Sequence, residues 1–192
     1  MTDRVRIAVQ KNGRLSDEST KLLKKCGISF NKSSDKLFLR SSNMMVDILM
    51  VRDDDIPKLV HQNIADLGIV GENVLKEKLL ADKTLNIERE TKLGFSKCRL
   101  AFAKPKDLID ADLNNKKIAT SYPAIVEDYL FKNSINAEIV EIHGSVELTP
   151  FVGISDMICD LVSTGITLES NNLEECYTCL LYTSPSPRDR YI

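Results

Sequence analysis

Short apolar runs alternate along the chain with segments in which apolar residues recur at helical spacing. The runs at residues 5–10, 46–51, 66–70, 98–103, 117–120, 138–142 and 157–162 predict buried strands. Helical spacing and capping signals predict helices over residues 15–25, 56–62, 74–80 and 125–132, and another is expected to open at Gly144–Glu147. Because strands and helices alternate, the pattern predicts an α/β fold built on parallel sheets.

The loops that follow the predicted strands carry most of the candidate chemistry. They begin at Lys11, Arg52, Gly71, Thr120, Gly144 and Ser163. A second α/β unit is expected to start near residue 95, which gives a first lobe over residues 1–94 and a second over 95–168. Ligands of open α/β sheets bind beyond the carboxyl ends of the strands, so we expect these loops to converge on one cleft between two lobes.

The segment from Ile158 to Leu168 is the most informative of these strand exits. An apolar strand is followed by Ser163, Thr164 and Gly165, and a helix can open directly after them. Hydroxyls, a permissive glycine and free backbone N–H groups at a helix start form a natural phosphate cradle. Asp160, just before the loop, is suited to accept hydrogen bonds from sugar hydroxyls, so the expected ligand is a phosphorylated sugar. The alternative is a turn that merely caps a helix.

Composition narrows the class of protein. The 192 residues are 43% hydrophobic and 28% charged, with a formal net charge of -2. These values are typical of a soluble globular protein and provide no global basic field for nucleic acid. The start of the chain lacks the apolar core of a signal peptide, and no apolar stretch approaches the ~20 residues of a membrane span. We therefore expect a cytoplasmic protein with no nucleic-acid or membrane partner.

Two of the five cysteines lie close to the last residues of the sequence. An odd count of five cysteines without a secretion signal argues against a disulfide framework, and two histidines leave little for a zinc site. Cys176 and Cys179 form a Cys-x-x-Cys pair, for which a redox or metal role is the usual reading. However, residues 179–192 resemble one reading frame of a sequencing adapter. We expect residues 179–192 to be a non-native read-through tail; the alternative is a natural disordered tail.

Six segments in order resemble the catalytic part of ATP phosphoribosyltransferase, the family that starts histidine biosynthesis. They are Gln10–Ser16, Val51–Pro57, Asp66–Leu75, Ile118–Pro123, Gly144–Glu147 and Asp160–Gly165. The residues of the second and third segments are most similar to the long form of the family. That form adds a C-terminal histidine-binding regulatory domain, which we do not expect within these 192 residues. The resemblance implies two lobes similar to type II periplasmic binding proteins, with the active site in the cleft between them. It also implies a discontinuous first lobe whose return segment, at about residues 169–178, is incomplete.

The reaction implied by the resemblance joins N1 of ATP to C1 of 5-phosphoribosyl 1-pyrophosphate and releases pyrophosphate. Mg²⁺ is the implied cofactor, with ligands that the sequence does not identify, and the full-length protein is expected to form homo-dimers or hexamers. The loop expected to bind phosphoribosyl pyrophosphate comprises Asp160, Ser163, Thr164, Gly165, Ile166, Thr167 and Leu168. Asp160 would lie beside the ribose hydroxyls, while Ile166 and Leu168 would act through backbone or packing.

The resemblance also assigns residues to catalysis and to ATP. Arg52, with Asp160, is expected in catalysis, where Arg52 neutralises the pyrophosphate; the alternative is a surface ion pair. The residues expected at ATP are Lys11, Arg14, Gly71, Glu72, Thr120, Ser121 and Tyr122. A solvated basic turn is the alternative for the first two. The run Asp53–Asp55 could organise Mg²⁺ through water; the alternative, expected for at least one of the three, is to cap a helix.

Two other readings of the whole chain stay open. Two α/β lobes with a cleft also suit a solute-binding module, although the missing signal peptide argues against a secreted one. A fragment of the right family that lacks too much of its first lobe would be inactive. Release of pyrophosphate from ATP and phosphoribosyl pyrophosphate separates an enzyme from a binding module.

Overall fold

The computed structural model describes residues 4–32 and 36–182. The chain divides into two compact units, Met1–Ser96 and Lys97–Ile192. This division lies two residues after the boundary expected from the sequence. Each unit is built around its own sheet, with helices between consecutive parallel strands.

The first unit holds a four-stranded sheet with the order β2-β3-β1-β4. The strands are β1 Val5–Gln10, β2 Phe38–Arg40, β3 Val46–Val51 and β4 Leu67–Ile69. The helices are α1 Arg14–Lys25, α2 Ile56–His61 and α3 Glu72–Ala81. Strand β1 runs parallel to β3 and β4, whereas β2 is antiparallel to β3.

Both faces of this sheet carry a buried cluster, which explains why residues 7–9 of β1 and 48–51 of β3 are all apolar. Val9 and Ile48 pack on one face with Leu23 of α1. Ala8 packs on the other face with Ile56 at the start of α2. A parallel strand that is covered on both faces has no polar side, so the residues in its buried middle are apolar at consecutive positions.

The second unit holds a five-stranded sheet with the order β7-β6-β8-β5-β9. The strands are β5 Cys98–Pro105, β6 Lys117–Thr120, β7 Glu138–Glu141, β8 Met157–Val162 and β9 Leu173–Tyr182. The helices are α4 Pro123–Lys132 and α5 Ile166–Ser170. Strands β6, β7 and β8 are mutually parallel through β6, and β5 is antiparallel to both β8 and β9.

The predicted helix after Gly144 is instead a single 3-10 turn, Val146–Leu148. Ser145 before it has a left-handed backbone, with a φ of 50° and a ψ of 36°. Pro150 follows two residues after the turn and disfavours continued helix at the residue before it. The segment is therefore a tight turn that fixes Val146 in the core, where it is 1% exposed.

Strand β9 departs from the expected return to the first lobe. It pairs with β5 in the second sheet, from Leu173 opposite Pro105 to Tyr182 opposite Cys98. Arg99 donates to the carboxylate of Glu175 across this pair, at 2.9 and 3.0 Å from Nε and 2.5 Å from a terminal nitrogen. Burial of Leu173 and this ion pair help to hold residues 173–182 in the second unit.

The expected tail overlaps the end of this strand. Cys179 is buried in β9 and Cys176 is half-buried, and neither forms a disulfide with a residue that the structure describes. Residues 183–192 of the expected tail lie outside the described residues. The origin of residues 179–192 thus stays a prediction from the sequence.

Candidate functional site

The carboxyl ends of β6, β7 and β8 lie at one edge of the second sheet, because these three strands are parallel. The loops that leave this edge begin at Ser121, Ile142 and Ser163. They belong to three of the six segments that carry the family resemblance. Parallel pairing therefore brings together loops that are separated by about twenty residues each in the sequence.

A small open pocket of about 70 Å³ lies at this edge. It is lined by Glu147, Ile158, Asp160, Leu161, Val162, Ser163, Thr164, Gly165, Thr167 and Leu168. Of the seven residues predicted to bind phosphoribosyl pyrophosphate, only Ile166 is not among the pocket's lining residues. Ile166 is 65% exposed.

The backbone of the loop opens α5 without any side-chain cap. Gly165 is the N-cap residue, with a φ of 83° and a ψ of -9°, and no side chain hydrogen-bonds to the helix start. The first intrahelical bond is donated by the amide of Glu169 to the Gly165 carbonyl at 3.1 Å. The amides before it have no partner inside the helix, as at any helix start. The capped-turn alternative therefore lacks its side-chain cap in the structure.

One apolar residue anchors the loop while its hydroxyls stay accessible. Leu168 is buried and packs with Val162 and Leu173 in the core of the second unit. The side chains of Ser163, Thr164 and Thr167 are exposed. A rigid base with exposed hydroxyls and unpaired amides is suited to hold a phosphate group.

Two carboxylates line the same pocket. Asp160 is half-buried on β8, and its Oδ1 accepts a hydrogen bond from the amide of Leu161 at 2.7 Å. Burial raises the pKa of Asp160; the Leu161 hydrogen bond partly opposes this rise, and the charge of Glu147 adds to it. Glu147 was not assigned a role from the sequence, although it ends the segment Gly144–Glu147 that follows β7. The position of this segment directly after a strand is the signal that could have identified Glu147 as a site residue.

The three predicted ATP residues at the end of β6 and directly after it make hydrogen bonds or helix contacts within the turn. Thr120 is fully buried, and its hydroxyl accepts the amide N–H of Tyr122 at 3.0 Å. The Ser121 hydroxyl donates to the carbonyl of Ile142 at 2.7 Å. Tyr122 is the N-cap residue of α4, and Pro123 follows in the first turn, as expected for a proline that starts a helix. Their contact with ATP stays a prediction.

The first unit also gathers its predicted residues at one sheet edge. Strands β1, β3 and β4 are parallel, so the loops at Lys11, Arg52 and Gly71 leave the same side. The amide of Lys11 donates to the carbonyl of Val51 at 2.8 Å, which joins the first loop directly to the strand exit before Arg52. Arg14 is exposed at the start of α1.

Arg52 does not form, with any described residue, the surface ion pair that was the alternative to its catalytic role. Its guanidinium has no hydrogen bond or ion pair with any residue that the structure describes. The adjoining run Asp53–Asp55 forms a 3-10 turn, and no side-chain capping bond is present there or at the start of α2. The capping role expected for one of these aspartates is therefore not seen; Asp54 instead lies 3.8 Å from Lys78.

The segment around Glu72 is tied to the chain that follows α3. Glu72 pairs with Arg89 at 2.8 Å and lies 3.7 Å from Lys92. Gly71 is the residue before the helix, and a Cβ there would lie 2.4 Å from Oδ1 of Asn73. Glycine at position 71 thus makes room for the Asn73 side chain. The predicted ATP contacts of Gly71 and Glu72 stay predictions.

The described part of the chain contains neither a cluster of metal-ligating side chains nor a membrane-spanning helix. Residues 4–32 and 36–182 hold no group of three or more histidine, cysteine or acidic side chains that could bind a metal ion. Among the same residues, no helix combines the length and apolar character that crossing a bilayer requires. A magnesium ion shared with a substrate needs fewer protein ligands, since Mg²⁺ is usually bound by one or two carboxylates plus substrate phosphates. Glu147 and Asp160 provide two carboxylates at the pocket.

Curated relatives are similar to this chain in sequence over most of its length. A curated ATP phosphoribosyltransferase from Maricaulis maris is 48% identical over 184 residues, which are 94% of this chain and 63% of the relative. One from Cytophaga hutchinsonii is 49% identical over 178 residues, which are 91% of this chain and 60% of the relative. The chain thus spans less than two thirds of the length of these relatives.

Solved structures are similar to this chain in fold. A chain of the ATP phosphoribosyl transferase (HisG:HisZ) complex from Thermotoga maritima matches with a TM-score of 0.75 and 31% identity, over 92% of this chain and 83% of that chain. An ancestral arginine-binding protein bound to glutamine matches with a TM-score of 0.55 at 13% identity, over 95% of this chain and 83% of that chain, which shows a shared fold alone. The two-unit α/β fold expected from the sequence is thereby confirmed. The family model described as HisG: ATP phosphoribosyltransferase matches residues 52–184, more than half of the chain. The chain therefore belongs to the ATP phosphoribosyltransferase family.

Proposed function

We propose that this chain carries the catalytic region of an ATP phosphoribosyltransferase, which joins N1 of ATP to C1 of 5-phosphoribosyl 1-pyrophosphate. The products are N1-(5-phosphoribosyl)-ATP and pyrophosphate, in the first step of histidine biosynthesis. The single observation that carries the proposal is the pocket that Asp160 and the loop Ser163–Leu168 form at a parallel strand edge. A binding site for a phosphorylated sugar is the feature that such a transferase requires.

The pocket residues suit the two ends of the phosphoribosyl group. The exposed hydroxyls of Ser163, Thr164 and Thr167, with the free amides at the start of α5, would bind the 5-phosphate. The carboxylates of Asp160 and Glu147 would accept hydrogen bonds from the ribose hydroxyls and face the positive charge that develops on the ring. A charged carboxylate in a half-buried position is costly without a ligand, and the raised pKa of Asp160 reflects that cost.

The chemistry requires no protein nucleophile. The N1 lone pair of adenine forms the new bond to C1, and the electron pair of the breaking C1–O bond leaves with pyrophosphate. Arg52, whose guanidinium has no partner within the described residues, would neutralise this leaving group. Lys11 and Arg14 would bind phosphates of ATP. Mg²⁺, when bound with the substrate phosphates, would supply further neutralisation of their negative charge.

The same proposal covers the cellular location and the oligomeric state of the complete protein. Phosphorylated substrates do not cross membranes unaided, so we propose a cytoplasmic location. The similar Thermotoga maritima chain comes from a complex, and we propose that the complete protein is a homo-oligomer. Light scattering of the purified protein measures its oligomeric state; a monomer at assay concentrations would refute that part.

The test is an Mg²⁺-dependent assay with ATP and phosphoribosyl pyrophosphate. It measures N1-ribosylated product and pyrophosphate for this chain and for a version extended to the length of its relatives. Product from either version supports the proposal. If both versions are folded and neither forms product, a solute-binding module becomes the better conclusion.

Substitutions in the phosphate loop test the site itself. Thr164→Ala combined with Thr167→Ala should weaken binding of phosphoribosyl pyrophosphate by about tenfold or more, because two hydroxyl hydrogen bonds are lost. Binding of ATP should change much less. Equal loss of both affinities in a folded variant would count against the assignment of this loop.

A further inference from the structure

Ser16 makes a hydrogen bond that does not follow the pattern of its own helix. The hydroxyls of Ser19 and Thr20 donate to carbonyls four residues back, at 2.6 Å to Leu15 and 2.8 Å to Ser16. This is the ordinary behaviour of such residues inside a helix. Ser16 instead donates to the carbonyl of Lys11 at 2.9 Å, five residues back and across the turn between β1 and α1. Its side chain is fully buried.

A lysine from a separate segment completes this contact. The ammonium of Lys32 lies 2.9 Å from the Ser16 hydroxyl oxygen and 3.3 Å from a carboxylate oxygen of Asp17. An ammonium can only donate, so the hydroxyl accepts from Lys32 and gives its single hydrogen to Lys11. The direction of both hydrogen bonds is thereby fixed, and one buried oxygen joins residues 32, 16 and 11.

Helix stability does not explain this position of Lys32. Ser16 and Asp17 lie in the first turn of α1, where the helix dipole disfavours a cation. Asp17 compensates in part, but its side chain is 69% exposed and such ion pairs contribute little. The contact is better explained by what it does to the loop that Lys11 begins.

The backbone of Lys11 is held on both sides. Its carbonyl accepts a hydrogen bond from the Ser16 hydroxyl. Its amide donates a hydrogen bond of 2.8 Å to the carbonyl of Val51, which is the residue before Arg52. These two bonds set the direction in which the Lys11 side chain leaves the chain. They also tie the first loop to the strand exit that carries Arg52.

We propose that Ser16 and Lys32 are positioning residues, which hold Lys11 in the orientation in which its ammonium binds ATP. The inference rests on the proposed function, because it assigns the nucleotide to the Lys11 loop. Neither residue needs to touch the nucleotide. Ser16 acts through the carbonyl of Lys11, and Lys32 acts through Ser16.

Four variants of this chain test the inference by calorimetric titration with ATP and with phosphoribosyl pyrophosphate. In Ser16→Ala and Lys32→Met, the affinity for ATP should fall about fivefold, as expected for the loss of one hydrogen bond. Lys32→Arg, which keeps a donor, should retain the affinity for ATP. Lys21→Met is the matched control, because Lys21 pairs with Glu18 on the same helix and does not contact the loop. Affinity for phosphoribosyl pyrophosphate should be unchanged in all four.

Amide hydrogen exchange at Lys11 is the second readout and requires no ligand. Exchange should be faster in Ser16→Ala and Lys32→Met than in Lys32→Arg, Lys21→Met or the unsubstituted protein. Unchanged exchange at Lys11, an equal loss of affinity for both ligands, or the same effect in Lys21→Met would overturn the inference. If the unsubstituted protein binds no ATP, the proposed function fails, and the exchange rates alone decide the positioning role. If Ser16→Ala does not fold, the Lys32 variants carry the test.

Discussion

The conformation of Gly165 offers a sharp test of how the phosphate loop works. Its φ of 83° and ψ of -9° lie in the left-handed region, and a Cβ built there would meet no atom within 4 Å. Gly165→Ala therefore introduces no clash. The substitution changes only the cost of holding the backbone in the conformation that opens α5.

The size of that cost follows from the backbone alone. A left-handed conformation costs an L-residue about 1–2 kcal/mol. Alanine also restricts the unfolded chain, which returns about 0.4–1 kcal/mol. The net loss is about 1 kcal/mol of unfolding free energy, which for a unit of roughly 100 residues lowers the Tm by about 4–8 °C.

Ligand affinity should fall by more than this strain suggests. A loop that relaxes toward a negative φ moves the first amides of α5 away from the bound phosphate. Loss of one hydrogen bond to a charged group costs about 1.5–3 kcal/mol, which corresponds to at least tenfold weaker binding of phosphoribosyl pyrophosphate.

Gly153→Ala provides the matched control. Gly153 has a φ of 73°, also meets no atom within 4 Å, and does not line the pocket. Thermal unfolding should show similar losses for the two variants, whereas calorimetric titration should show weak binding only for Gly165→Ala. If Gly165→Ala binds phosphoribosyl pyrophosphate as tightly as Gly153→Ala, binding does not depend on the backbone conformation of this loop.

Three further substitutions probe the charged residues. Burial raises the folded-state pKa of Asp160, so the protein loses stability as the pH rises through that pKa and the carboxyl becomes charged. Asp160→Asn should therefore raise the Tm at pH 7 and weaken the binding of phosphoribosyl pyrophosphate. A lower Tm would contradict this prediction. The hydrogen bonds from Arg99 lower the pKa of Glu175, so their stabilisation is present above the ordinary carboxyl pKa and is lost as pH falls through the lowered one. Glu175→Gln should therefore flatten the acid limb of a Tm-against-pH curve, which an unchanged limb would refute. Arg52→Ala should lower kcat about 100-fold with little change in KM if it neutralises the leaving pyrophosphate, and an unchanged kcat removes that role.

The buried parallel strands were the part of the fold that the sequence predicted best. Strands β1, β3, β6 and β8 begin and end at the residues expected from their apolar runs. The middle of each strand packs in a core on both faces, so apolar residues occupy consecutive positions there. Strand β2 has three residues and was missed, because only Leu39 between two exposed neighbours is buried. Strand β9 was missed because charged residues that pair across strands, such as Glu174 and Glu175, interrupt its apolar pattern.

The candidate site was predictable only where its residues are neighbours in sequence. The loop Ser163–Leu168 forms from one strand exit, so its pattern of hydroxyls and glycine is visible without the fold. Glu147 reaches the same pocket only because β7 and β8 flank β6, a pairing that the sequence does not specify. Thr120 shows what residue type alone leaves out: its buried hydroxyl accepts the amide N–H of Tyr122 within the turn, and its contact with ATP stays a prediction.

The way this chain pairs its charges separates structural from functional residues. Arg99 and Lys104, both on β5, each have a carboxylate partner on β9, and these pairs hold a strand in place. Asp160 and Glu147 have no cationic partner among the described residues, and Glu147 raises the pKa of Asp160 further. Two carboxylates at one pocket without a cation cost stability, and we attribute their presence to a ligand that uses them. The same reasoning applies to the guanidinium of Arg52 at the edge of the first sheet. At the pocket and at Arg52, the charges that have no partner among the described residues are therefore the ones that we expect to meet phosphoribosyl pyrophosphate.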